Sequence, residues 1–162
     1  MEEPILRKNQ FLPQPKRVKA VIARLLEAEP YAVLCTRKEK QPYASLMAYA
    51  AVPRLRVIAF ATPITTRKFH FLEGAPEVAL LIDSRASTQG MMDVEAVTAT
   101  GRARRAVGAE AQRLTRLLCA RHPQLEAFTR SPSCAIYAVD IYRYFYCARF
   151  QEVSVWTPGK KP

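Results

Sequence analysis

Histidine and tryptophan are nearly missing from this chain, with two of the first and one of the second among 162 residues. Cysteines stand only at 35, 119, 134 and 147, without a C-x-x-C pair. That spacing provides neither a zinc-finger pattern nor a disulfide framework, so structural zinc is set aside and buried, reduced thiols are expected. Long apolar runs are absent as well. Val78 to Ile82 and Val57 to Ala61 fall far short of the ~20 residues that cross a bilayer. The start, Met1-Glu2-Glu3-Pro4, lacks the basic and apolar stretches of a secretory signal, and the expected location is the cytoplasm. Acidic residues are scarce, 14 against 25 basic, giving a formal charge of +11. Such a balance suits phosphate, nucleic acid or an anionic membrane and does not choose among them.

What the chain does have is apolar material, 49% of its residues against 24% charged, which excludes intrinsic disorder and supports one packed domain. Residues 1–15, with Pro4, Pro13 and Pro15, read as an N-terminal arm. The domain is expected over 16–157, with a short tail at 158–162. Val18, Val21, Ile22, Leu25 and Leu26 form the stripe of an amphipathic helix over Lys16–Glu29, stopped by Pro30. Tyr31–Thr36, Tyr43–Val52 and Leu55–Ala61 read as three strands of an antiparallel meander. A short capped helix is expected within Thr62–Glu73, and strands over Glu77–Asp83 and Val94–Ala106, the latter with a bulge or close backbone approach at Gly101. A helix over Gly108–His122, extended by Leu125–Phe128, precedes strands at Cys134–Ala148 and Gln151–Trp156. No internal repeat or low-complexity tract occurs. The fold class is mainly β with flanking helices, a six- to seven-stranded antiparallel split barrel, because so many strands in one small domain must hide their edges.

The segment Ala61-Thr62-Pro63-Ile64-Thr65-Thr66-Arg67-Lys68 runs from a strand through hydroxyl residues into adjacent cations at a helix start. It can cradle a phosphate, since helix N-terminal amides and hydroxyls donate hydrogen bonds, arginine gives two parallel bonds and lysine acts as a point charge. The plainer alternative is a pair of solvated cations behind threonines that only cap a helix.

Three stretches resemble the FMN-binding split-barrel family related to pyridoxamine 5'-phosphate oxidase. They are Pro42-Tyr43-Ala44-Ser45-Leu46-Met47-Ala48-Tyr49, the run from Phe60-Ala61-Thr62 to Thr66-Arg67-Lys68, and Val78–Ile82 followed by Asp83-Ser84-Arg85. The resemblance covers about residues 16 to 157 and implies a homodimer holding FMN in two clefts between subunits. It also implies that Ser45, Leu46, Met47 and Ala48 line the flavin, and that Ala61, Thr62 and Thr66 lie near its phosphate. Arg67 and Lys68 would neutralise that phosphate, and Trp156 would reach the partner's flavin. Where the oxidases use a glutamine at the entry to the fifth strand this sequence has Ala96, with Gln89 as a candidate substitute. The oxidases' Arg-x-His element is not matched after Trp156, so pyridoxamine 5'-phosphate is not the expected substrate. The expected function is an FMN-dependent oxidoreductase acting on an unassigned small molecule. The alternatives are a flavin- or haem-binding or haem-degrading protein on the same fold, with His70 as a ligand, and a basic nucleic-acid binder using Arg102, Arg104, Arg105, Arg113, Arg116, Arg121 and Arg130. A solvated basic face is the plainer account of those arginines. No catalytic residue and no metal ligand is assigned.

Overall fold

The computed structural model describes residues 15–149 and 152–159, so the N-terminal arm, apart from Pro15, and the last three residues of the tail lie outside the described residues. Helix α1 (Pro15–Ala28) presents Val18, Ile22, Leu25 and Leu26 to the interior, as the apolar spacing requires. Strands β1 (Tyr31–Lys38) and β2 (Gln41–Ala48) form a tight hairpin. Its turn residue Glu39 sits at φ 53°. The strand expected at Leu55–Ala61 forms over Val57–Pro63 but does not pair with β2. The segment read as Tyr43–Val52 breaks at Tyr49, and after it come β3 (Ala50–Ala51) and β4 (Val57–Pro63), which pair with each other. The described strands therefore number eight, one more than the sequence suggests.

The break has a physical cause. The Tyr49 ring is buried and its hydroxyl lies 2.8 Å from Leu26 O and 2.9 Å from Glu29 O, so it donates to the exhausted C-terminal end of α1. Arg121 donates from the other side, to Glu29 O at 2.6 Å, and stacks over the Tyr49 ring. His122 Nε2 lies 2.9 Å from Tyr49 O. The chain turns a corner here because its side chain and its carbonyl are both claimed by other elements.

Helix α2 (Arg67–Gly74) leads to β5 (Glu77–Asp83) and then β6 (Ala96–Arg105), followed by α3 (Gly108–Arg121), α4 (Glu126–Thr129), β7 (Cys134–Ala148) and β8 (Glu152–Trp156). The antiparallel sheet runs β2-β1-β5-β6-β7-β4-β3, with β8 on the second half of β7. Its register shifts between Thr100 and Gly101, and a side chain at Gly101 would stand 2.3 Å from Asp140 O, so the glycine marks both a bulge and a close approach. The sheet curls into a half-barrel flanked by the four helices. Ile58, Phe60, Leu34, Leu80, Val97, Tyr137 and Tyr144 fill its inside together with α1. On the opposite face of β4 and β7, small residues such as Ala59 and Ala138 admit Leu114 and Leu118 of α3 closely. Among the described residues no helix is long and apolar enough to cross a membrane.

Candidate functional site

The two ends of the sheet path, β2 and the β4–β3 edge, approach each other and leave the split of the half-barrel. At the end of β4 the backbone tightens: Thr66 N donates to Pro63 O at 3.1 Å, and Thr66 caps α2 by accepting from Phe69 N at 3.4 Å. Thr66 Oγ1 also lies 2.8 Å from Pro63 O, to which it donates, and 2.9 Å from Thr62 Oγ1. Thr62 is completely buried. The two hydroxyls therefore hold the helix start in place, and the donors left facing outward are the cations and the first-turn amides.

Arg67 and Lys68 differ in their surroundings. The Arg67 guanidinium lies 5.4 Å from the centroid of the Tyr43 ring on β2, which joins α2 to the far side of the split. Lys68 is half-buried, and burial lowers its pKa from the ordinary lysine value. Among the described residues no carboxylate is paired with either. Other surface arginines are paired: Arg24 with Glu95, Arg85 with Asp83, Arg102 with Glu77, Arg104 with both Glu110 and Asp140, and Arg130 with Glu126. The basic cluster that sequence offers to nucleic acid is thus partly neutralised by its own carboxylates.

On β2, Tyr43, Ser45 and Met47 share the inward face by strand alternation. The Ser45 hydroxyl is buried and has no hydrogen-bond partner among the described residues. An orphaned polar atom of this kind is costly unless something supplies a partner. Leu46 points the other way and is 69% exposed, with Ala48 half-buried on the same face. The Ala61 side chain packs toward α3, so it can face the split only through its backbone. Tyr43 was not singled out from sequence, although its i, i+2 spacing to Ser45 carried the signal.

Trp156 and Gln89 lie elsewhere. Trp156 on β8 packs on Tyr144 at 5.7 Å, with Lys19 of α1 over its ring. Gln89 is exposed in the loop before β6, which is pinned to α1 through Ser87 Oγ donating to Glu29 Oε1 at 2.8 Å. Neither makes a described contact with the Thr62–Lys68 group. Ala96 opens β6 between Asp83 and Cys147. His70 is exposed on α2, its ring edge-on to Phe69.

A curled antiparallel half-barrel with a hydroxyl-capped, cation-bearing helix at its split defines the split-barrel class. The family model described as pyridoxamine 5'-phosphate oxidase matches residues 18–156, and the chain belongs to that family. No curated protein matches the sequence. Among solved structures, a heme binding protein from Mycobacterium smegmatis superposes with a TM-score of 0.78 at 15% identity, covering 90% of this chain and 59% of that one. The General Stress Protein 26 from Bacillus anthracis gives 0.68 at 14%, covering 87% and 98% of the two chains. A FAD-binding protein from Mesorhizobium loti gives 0.62 at 16%, covering 77% and 90%. At these identities the likeness is one of fold.

Proposed function

We propose that this protein is a homodimeric flavoprotein of the oxidoreductase type, holding FMN at the split of its barrel, in the cytoplasm, with an unassigned small-molecule substrate. The observation that carries the reading is the half-buried, carboxylate-free Lys68 beside Arg67, facing a strand whose Ser45 hydroxyl lacks a partner. This donor set fits a phosphorylated flavin. Two cations and the free amides of Arg67 and Lys68 suit the phosphate, while Ser45 can bond to a polar edge of the ring system or its sugar chain. Thr62 and Thr66 then serve by fixing the helix start, and the backbone of Leu46, Met47 and Ala48 lines one wall. When bound, the flavin supplies the electron chemistry, and the protein sets its orientation, access and electrostatics.

Support for the homodimer comes from the outer face of the sheet. Leu46, Val33, Leu81, Thr98, Phe145 and Val155 are direct cross-strand neighbours in one unbroken row over six strands. Helices α1 and α2 pack on the inner side, and α3 covers only the β3, β4 and β7 region. A second copy on the outer row buries this apolar band.

The test is flavin titration of the purified chain. Two charge-assisted contacts at roughly 1.5–3 kcal/mol each mean that Arg67→Ala with Lys68→Ala should weaken FMN binding by about a hundredfold or more. Riboflavin binding should stay nearly unchanged. Equal loss for both ligands defeats the assignment, and a Soret band without flavin bands in the purified protein moves it to haem.

A further inference from the structure

Several arginines of this protein are held by partners that use up their donors. Carboxylates take those of Arg24, Arg85, Arg102, Arg104 and Arg130. Arg121 also lies over a tyrosine ring, but it gives Nη2 to Glu27 O at 3.1 Å and to Glu29 O at 2.6 Å. Arg67 is held differently. Among the described residues its guanidinium makes no hydrogen bond and no ion pair, and what holds it is the ring of Tyr43.

That ring is itself fixed. Phe71 meets it edge to face, with planes at 78° and centroids 5.8 Å apart. Phe71 stands at i+4 from Arg67 on α2, so both side chains of this helical pair close on one ring of β2. The strand beneath is pinned as well: Thr36, buried on β1, pairs with Tyr43 in the ladder and donates through Oγ1 to Tyr43 O at 3.3 Å. A tyrosine has few torsions to fix, whereas a free arginine carries large rotamer entropy, so the ring is the natural anchor and the guanidinium the group that gains order.

A carboxylate and a ring face hold a guanidinium to different effect. The carboxylate neutralises the charge and occupies the N–H fork. The ring attracts the cation through its quadrupole, leaves the charge intact and leaves the fork for an incoming anion. We infer that Tyr43 is a positioning residue of the phosphate cradle: it orders Arg67 before the cofactor arrives, so that the phosphate meets a guanidinium already immobilised and still charged. The gain is the ordering cost of one long side chain, met on folding instead of on binding. The inference rests on the flavin reading above and deepens it, because it makes β2 part of the selection for the phosphate.

The test is the ratio of FMN to riboflavin affinity, measured by fluorescence titration of the full chain, native and as Tyr43→Leu, Tyr43→Phe, Arg67→Ala and Tyr43→Leu with Arg67→Ala. A ratio is read because damage to the cleft or to ring contacts weakens both ligands together, and riboflavin affinity reports that each variant is folded. Tyr43→Leu is expected to lower the ratio by about tenfold, the upper range for ordering one such side chain. Tyr43→Phe keeps the ring face and should hold the ratio within about twofold of native. With Arg67→Ala already in place, Tyr43→Leu should change the ratio no further, since the ring acts through that arginine. An unchanged or raised ratio in Tyr43→Leu overturns the inference, as does loss of the ratio in Tyr43→Phe or a Tyr43→Leu effect that persists without Arg67. A native chain that binds neither flavin, or whose ratio ignores Arg67→Ala, overturns the cofactor reading and this inference with it, a result distinct from a ratio that depends on Arg67 alone.

Discussion

Lys68 keeps a positive charge where burial disfavours one and no carboxylate among the described residues offsets it. Its folded pKa lies below the unfolded value, so the flavin-free protein carries a penalty while the group is protonated in both states. That penalty fades as pH rises from the lowered folded value toward the ordinary lysine value. Lys68→Met is therefore expected to raise the urea midpoint at neutral pH without flavin, to flatten the alkaline part of the stability profile, and to lower the midpoint once FMN is present. Urea unfolding at neutral and alkaline pH, with and without FMN, checks all three. Tyr49 provides a second residue-scale expectation. Tyr49→Phe removes the hydroxyl that reaches Leu26 O and Glu29 O and should cost about 1–3 kcal/mol, read from denaturant midpoints. The cap at Thr66 and the cations beside it were legible in the sequence because capping and helix-start charge are local properties. The stacking of Arg67 on Tyr43 and the unpartnered state of Ser45 were not, since each depends on a strand more than 20 positions away from α2 in the chain.

Helix α1 and strands β5, β6 and β7 follow their sequence periodicity closely, whereas the three-stranded meander did not form. A hydrophobic run shows that a segment is a strand but carries no record of its neighbour. The long partner of β4 is β7, beginning at Cys134, and the sequence between them contains α2, β5, β6, α3 and α4. Glycine supplied a stronger signal. Gly101 permits β6 to pass so close to Asp140 O that Gly101→Ala must displace one strand, with an expected loss of about 1–3 kcal/mol. At Gly74, where an added methyl group meets nothing within 4 Å, the same replacement should leave stability unchanged or improve it. Thermal melts of the two variants side by side separate the effect of close approach from that of glycine as such.

The whole molecule places an apolar row on the outside of its sheet, and the prediction at this scale concerns assembly. Leu81→Lys with Val155→Lys puts two charges of one sign into that row without touching the inner core, because both side chains face outward. Sedimentation should then move from twice the chain mass to the chain mass with an unchanged far-ultraviolet spectrum, and a dimer that persists would place the contact elsewhere. Strand β7 has a wider role: β4 and β6 flank it, and β8 completes its second half. It begins only at Cys134, so while the chain is being synthesised most of the sheet exists without the strand that joins its two halves. Until β7 leaves the ribosome, β4 has only two-residue β3 to pair with, and one hydrogen-bonding edge each of β4 and β6 stays open to solvent and to strands of neighbouring chains. The sheet is therefore completed only once β7 and β8 have emerged, and its greatest exposure to aggregation falls in the interval just before those two strands arrive.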